Sequence, residues 1–144
     1  MSKRTPDFAR VLGTGSFPPA EADGILAVGF AMANANGDAS FEELDAFRAL
    51  VKHVRPGVAV MEVLDDLGAR LDAAGSIEAF VRAVAPTLGP EGKDAAYKAA
   101  CVIAVFDLET NEDERDLDDL LVEVLGLGAR AGDLELAVNE ALST

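Results

Sequence analysis

Residues 21–35 read EADGILAVGFAMANA, and residues 91–106 read EGKDAAYKAACVIAVF. Both stretches are rich in Ala and nearly apolar over their C-terminal halves. A helix that is apolar around most of its circumference has no face to give to water and belongs in the middle of a bundle. The small residues Ala27, Gly29, Ala31 and Ala33 on one, and Ala99, Ala100 and Ala104 on the other, would let the two approach closely. The pair predicts an all-α fold, a compact bundle around two central Ala-rich helices.

The rest of the chain supplies amphipathic helices to surround them. Leu44, Phe47, Val51 and Val54 recur at helical spacing, as do Val60, Leu64, Leu67 and Leu71. Ile77, Phe80, Val81, Val84 and Leu88 form another stripe, which Pro86 should kink or end near Ala85. Leu117, Leu120, Leu121, Val124 and Leu125 form the next, and Leu134, Val138, Ala141 and Leu142 the last. Breaks fall at Pro18-Pro19, Arg55-Pro56-Gly57, Ala74-Gly75, Leu88-Gly89-Pro90 and Gly126–Gly132. No segment alternates, so no sheet is expected, and the count is about seven helices. Residues 1–15 are expected to be a flexible N-terminal segment, and 16–144 a single helical domain.

Composition excludes several functions. The chain has 144 residues, which is one domain's worth. It carries 26 acidic against 12 basic residues, a net charge of −14. Phosphate binding needs a basic surface, so nucleic acid is not an expected partner. Direct membrane insertion is not expected either, because the longest apolar run, Ile25 to Ala33, is far short of a span. The N-terminal residues lack the apolar core of a secretory signal, and a cytoplasmic location is expected. With one Cys (Cys101) and one His (His53), an internal disulfide, a thiolate zinc site and paired His motifs are not expected.

Sliding the chain by 71 residues reveals an internal repeat over 20–57 and 91–128. Asp23, Ala33, Glu43, Asp45, Leu50, Val51 and Gly57 then fall on Asp94, Ala104, Glu114, Asp116, Leu121, Val122 and Gly128. Each copy is an Ala-rich helix, a short acidic turn, then an amphipathic helix. The turns read Ala35-Asn36-Gly37-Asp38-Ala39-Ser40-Phe41-Glu42-Glu43 and Phe106-Asp107-Leu108-Glu109-Thr110-Asn111-Glu112-Asp113-Glu114. This doubled motif resembles the tellurite-resistance TerB family, from Ala20 to Leu127. The resemblance implies a seven-helix all-α fold with an internal duplication and a place in bacterial stress response. It implies metal binding or sensing, or scaffolding at an inner-membrane complex reached through a partner, and it brings no enzyme activity.

The turns admit two readings. Ser40 with Glu43, and Asn111 with Glu114, have capping-box spacing, in which each side chain satisfies an otherwise orphaned helix amide. Glu43 and Glu114 are then caps first. The second reading makes Asn36, Asp38, Glu43, Asp107, Glu109 and Glu114 ligands of a divalent cation. Their hard oxygens would suit Ca2+ or Mg2+ better than Zn2+. With Gly37 at position 6 of an EF-hand loop, Met32 occupies position 1, so a true EF-hand is not expected.

Residues 107, 109, 112, 113, 114, 116, 118 and 119 are all acidic, with Arg115 alone among them. That run is a solvated helix face or a docking strip for a basic protein. His53 suits a helix C-terminus. Cys101 reads as a buried small hydrophobe, and Tyr97 and Lys98 as rim residues. The expectation is a non-enzymatic domain acting through protein contacts, with divalent-cation sensing at the acidic turns. The alternative is a purely structural adaptor whose acidic helix docks a basic partner without a specific metal. The oligomeric state is not legible.

Overall fold

The stripes and breaks become eight α-helices among the described residues. The computed structural model describes the backbone of residues 7–13, 17–35, 41–106 and 112–143, and the side chains of all of these except 106, 112–114 and 143. The helices are α1 (Phe8–Leu12), α2 (Pro19–Ala33), α3 (Phe41–Val54), α4 (Val60–Ala74), α5 (Ile77–Val84), α6 (Pro90–Phe106), α7 (Glu112–Val124) and α8 (Arg130–Ser143). No strand occurs among the described residues.

Local chemistry sets the boundaries. Pro19 opens α2, where its missing N–H costs nothing. Gly75 ends α4 at φ 87°, and the Ser76 hydroxyl then accepts from the Ala79 amide at 3.1 Å to start α5. Pro86 ends α5 as expected, through a single 3-10 turn at Ala85–Thr87. The additional helix, α1, lies within the segment 1–15. Its Phe8 and Val11 are buried where α1 packs on α3, α6 and α8. The Asp7 carboxylate caps it, accepting from the amides of Ala9 and Arg10 at 3.1 and 3.3 Å. Five residues are too few to show a helical period, which is why the sequence hides it.

α2 and α6 are the central pair, and they share the most extensive packing of any two helices. Ile25, Ala27, Val28 and Ala31 on α2, and Ala96, Ala99, Ala100, Val102 and Ile103 on α6, are sealed from solvent. Sealing a side chain the size of Ile25 or Ile103 contributes roughly 1.5–3 kcal/mol. The close approach depends on Gly29: a Cβ there would lie 2.8 Å from Leu50 Cδ2 and 3.1 Å from Ile103 Cδ1. At the other end of the pair, Glu21 Oε1 accepts from the Gly89 amide at 2.8 Å, so α2 satisfies an amide at the entry to α6.

The duplication is visible in the helix starts. Adding 71 to 19, 41 and 60 gives 90, 112 and 131, against observed starts at Pro90, Glu112 and Arg130. The repeat therefore reaches a third helix in each half. Gly57 and Gly128, equivalent under the same shift, both take left-handed backbone, at φ 91° and 54°. Each half also ties its first helix to its third by one ion pair. Arg70 on α4 meets Asp23 on α2 at 3.0 Å, and Arg130 on α8 meets Asp94 on α6 at 3.0 Å.

Candidate functional site

One edge of the core differs in chemistry between the two halves. On α6, Tyr97 and Cys101 stand one helical turn apart, so they share a face. α7 brings Asp118 to that face and α8 brings Glu135. The Cys101 thiol and one carboxylate oxygen each from Asp118 and Glu135 lie within 4.8 Å of one another. The Tyr97 hydroxyl donates to Asp118 Oδ1 at 2.8 Å. Cys101 is buried, Asp118 is half-buried and Glu135 lies at the solvent edge. Three ligand-bearing side chains from three successive helices thus converge at one edge of the core.

The same 71-residue shift places Tyr97, Cys101 and Asp118 on Leu26, Phe30 and Phe47. In the first half these are core packing: the Phe30 and Phe47 rings meet edge to face, with centroids 5.8 Å apart. The fold is satisfied by hydrocarbon at these positions. A phenol, a thiol and a carboxylate there are additions to the fold, not requirements of it.

Burial sets the electrostatics. Desolvation raises the Asp118 carboxyl above the ordinary carboxylate range, and the Tyr97 hydrogen bond acts against that rise. Glu135 is raised by desolvation first and by the charge of Asp118 second. Desolvation also pushes the Cys101 thiol up to about 12, with Asp118 and Glu135 adding to it. The cluster resists carrying several negative charges in one place. A divalent cation would reverse that balance by drawing protons off its ligands. A thiol beside two carboxylates suits the borderline-soft Zn2+ better than Ca2+ or Mg2+.

Tyr97 is therefore no rim residue, since it is only 1% exposed. Cys101 is buried as expected, but its thiol faces two carboxylates, a one-thiol arrangement that the expectation of no thiolate zinc site left out of account. Sequence reasoning missed the cluster because its members are spread over three helices. The available signal was the repeat itself, in which polar residues replace apolar ones at equivalent positions.

Of the ligands expected at the acidic turns, Asn36, Asp38, Asp107 and Glu109 lie outside the described residues, as does the side chain of Glu114. Glu43 is described: it stands in the first turn of α3 and is 1% exposed, so it is a core residue. His53 sits in the last turn of α3 as expected. Its Nε2 lies 2.9 Å from the Gly13 carbonyl oxygen. A carbonyl can only accept, so this nitrogen carries the proton and ties α3 to the end of α1.

The acidic run on α7 forms one wall of a groove of about 470 Å³ facing α5. Ile77, Leu117 and Leu120 give the groove an apolar floor, and Glu78, Asp116, Asp119 and Glu123 give it an acidic rim. Arg82 spans from α5 to α7, donating to Glu78 at 3.0 Å and to Glu123 at 3.1 Å. Among the described residues, Asp116 and Asp119 have no such cation.

Comparison with known proteins gives one family. Residues 22–134 match the family model for tellurite resistance protein TerB. No curated protein and no solved structure matches the chain.

Proposed function

Because the chain belongs to the TerB family of tellurite resistance proteins, we propose that it is a non-enzymatic helical domain of a bacterial stress-response system, one that binds protein partners and responds to a divalent cation. The observation that carries the cation response is the convergence of Cys101, Asp118 and Glu135 within 4.8 Å. An ion held there would bridge α6, α7 and α8 and stiffen the second half of the molecule. The acidic turns, with Asn36, Asp38, Glu43, Asp107, Glu109 and Glu114, are the second place for a cation of the Ca2+ or Mg2+ kind. No described helix is long and apolar enough to cross a membrane.

The test is a thermal melt in EDTA, Mg2+, Ca2+ or Zn2+, each matched in ionic strength with NaCl. A ligand at 100 times its Kd adds about 2.7 kcal/mol, worth roughly 5–10 °C at this chain length. The expected result is a shift of that order for Zn2+, lost in Cys101→Ser with Glu135→Gln. A shift for Ca2+ or Mg2+ that survives those changes and disappears in Asp107→Asn with Glu114→Gln would move the site to the turns. Equal small shifts for every salt would leave the adaptor reading, which Asp116 and Asp119, without a cation partner among the described residues, favour.

A further inference from the structure

We propose that the groove between α5 and α7 is a docking surface for a basic amphipathic helix of a protein partner. The inference rests on the protein-contact reading above and names where that contact falls. Asp116, Asp119 and Glu123 follow one another at three- and four-residue steps, so they line one side of α7. Glu78 faces them from α5. Among the described residues, the cation paired with these four carboxylates is Arg82, shared between Glu78 and Glu123. The rim therefore presents excess negative charge, and Lys or Arg side chains complement it.

The floor makes a second, different demand. Ile77 and Leu120 are half-buried and Leu117 is nearly sealed, so the groove offers hydrocarbon to an entering side chain. A flexible polycation would meet only the rim, and an uncharged apolar segment only the floor. A helix with apolar anchors at three- and four-residue spacing and Lys or Arg flanking them meets both at once. The groove volume of about 470 Å³ is within the range of clefts that bury a small-molecule ligand, room enough for an entering side chain.

The full chain, isotope-labelled and in EDTA, would be titrated with a designed Leu/Lys amphipathic peptide and with the same residues in scrambled order. Amide shift changes are expected to gather at residues 77–82 and 116–123. The scrambled peptide should bind about tenfold more weakly, because it cannot fill floor and rim together. Asp116→Asn with Asp119→Asn should weaken binding about tenfold, and Leu120→Ala should weaken it without changing the circular dichroism spectrum. The control, Asp65→Asn with Asp72→Asn, removes the same charge from exposed sites on α4 and should leave binding nearly unchanged. Equal weakening by the two charge pairs would overturn the groove in favour of the general field of the molecule. Binding that maps elsewhere would overturn it while leaving the protein-contact reading standing. Failure of both peptides to bind would also overturn it, and the cation melt, which needs no peptide, would then judge the cation response on its own.

Discussion

Tyr97 on α6 donates its phenolic proton to Asp118 on α7 at 2.8 Å, and the internal repeat places these two residues where the first half carries Leu26 and Phe47. One pair of equivalent positions is joined by a hydrogen bond and the other is filled with hydrocarbon. The distinction bears directly on stability.

Tyr97→Phe should lower stability by about 1–2 kcal/mol, because Asp118 loses a donor where water is scarce. Replacing both partners by the residues of the first half, Tyr97→Leu with Asp118→Phe, should cost less than the sum of the two single changes. Urea unfolding of the four proteins measures the coupling. Additive costs would mean that the hydrogen bond contributes nothing beyond the packing of each side chain.

The raised carboxyls of Asp118 and Glu135 give a defined pH response. A carboxyl that holds its proton more tightly when folded makes the native state the more protonated one, so stability falls as pH rises past the ordinary carboxylate range. The penalty is absent below about pH 4 and complete once pH exceeds the folded values. Asp118→Asn with Glu135→Gln, in EDTA, should match the parent near pH 4 and exceed it in stability at pH 7. Asp65→Asn with Asp72→Asn controls for the relief of general repulsion. A gap between parent and site variant that is no larger than that control would dismiss the idea.

Two glycine substitutions should act in opposite directions. Gly68 on α4 has open space around a Cβ, so Gly68→Ala should raise stability by about 0.5–1 kcal/mol through helix propensity. Gly29→Ala gains the same propensity but drives its methyl against Leu50 and Ile103, both sealed in the core. A net loss of about 1–3 kcal/mol is expected from overpacking. Thermal melts of both variants decide it; a stabilised Gly29→Ala would show that α2 and α6 have room to part.

The paired arginines should matter little. Arg70 and Arg130 are partly exposed, and exposed pairs contribute at most about 1 kcal/mol. Arg70→Ala should nonetheless cost slightly more than Arg130→Ala, because Arg70 also meets Asp66 at 3.3 Å and lies 6.0 Å from the centre of the Phe80 ring. Chemical denaturation in low and high salt would separate the charge effect, which salt screens, from packing, which it does not.

The sequence by itself determined the helices from α2 to α8, the central pair and the repeat, but not α1. Each of these is a local pattern: Ala27 to Ala33 is apolar all round, Leu117 and Leu121 recur at helical spacing, and Pro86, lying beyond the first turn of its stripe, cannot continue the helix. The 71-residue shift was legible for the same reason, since it compares the chain only with itself. The polar cluster depended on tertiary structure. Tyr97, Asp118 and Glu135 are far apart in sequence, and α6, α7 and α8 must pack before a hydroxyl, a thiol and two carboxylates share one desolvated edge. The same holds for Glu43, whose capping-box spacing gave no sign of its burial in the core. Spacing along one helix fixes which side chains share a face; which faces then meet, and how much water they exclude, is settled only when the helices close on one another.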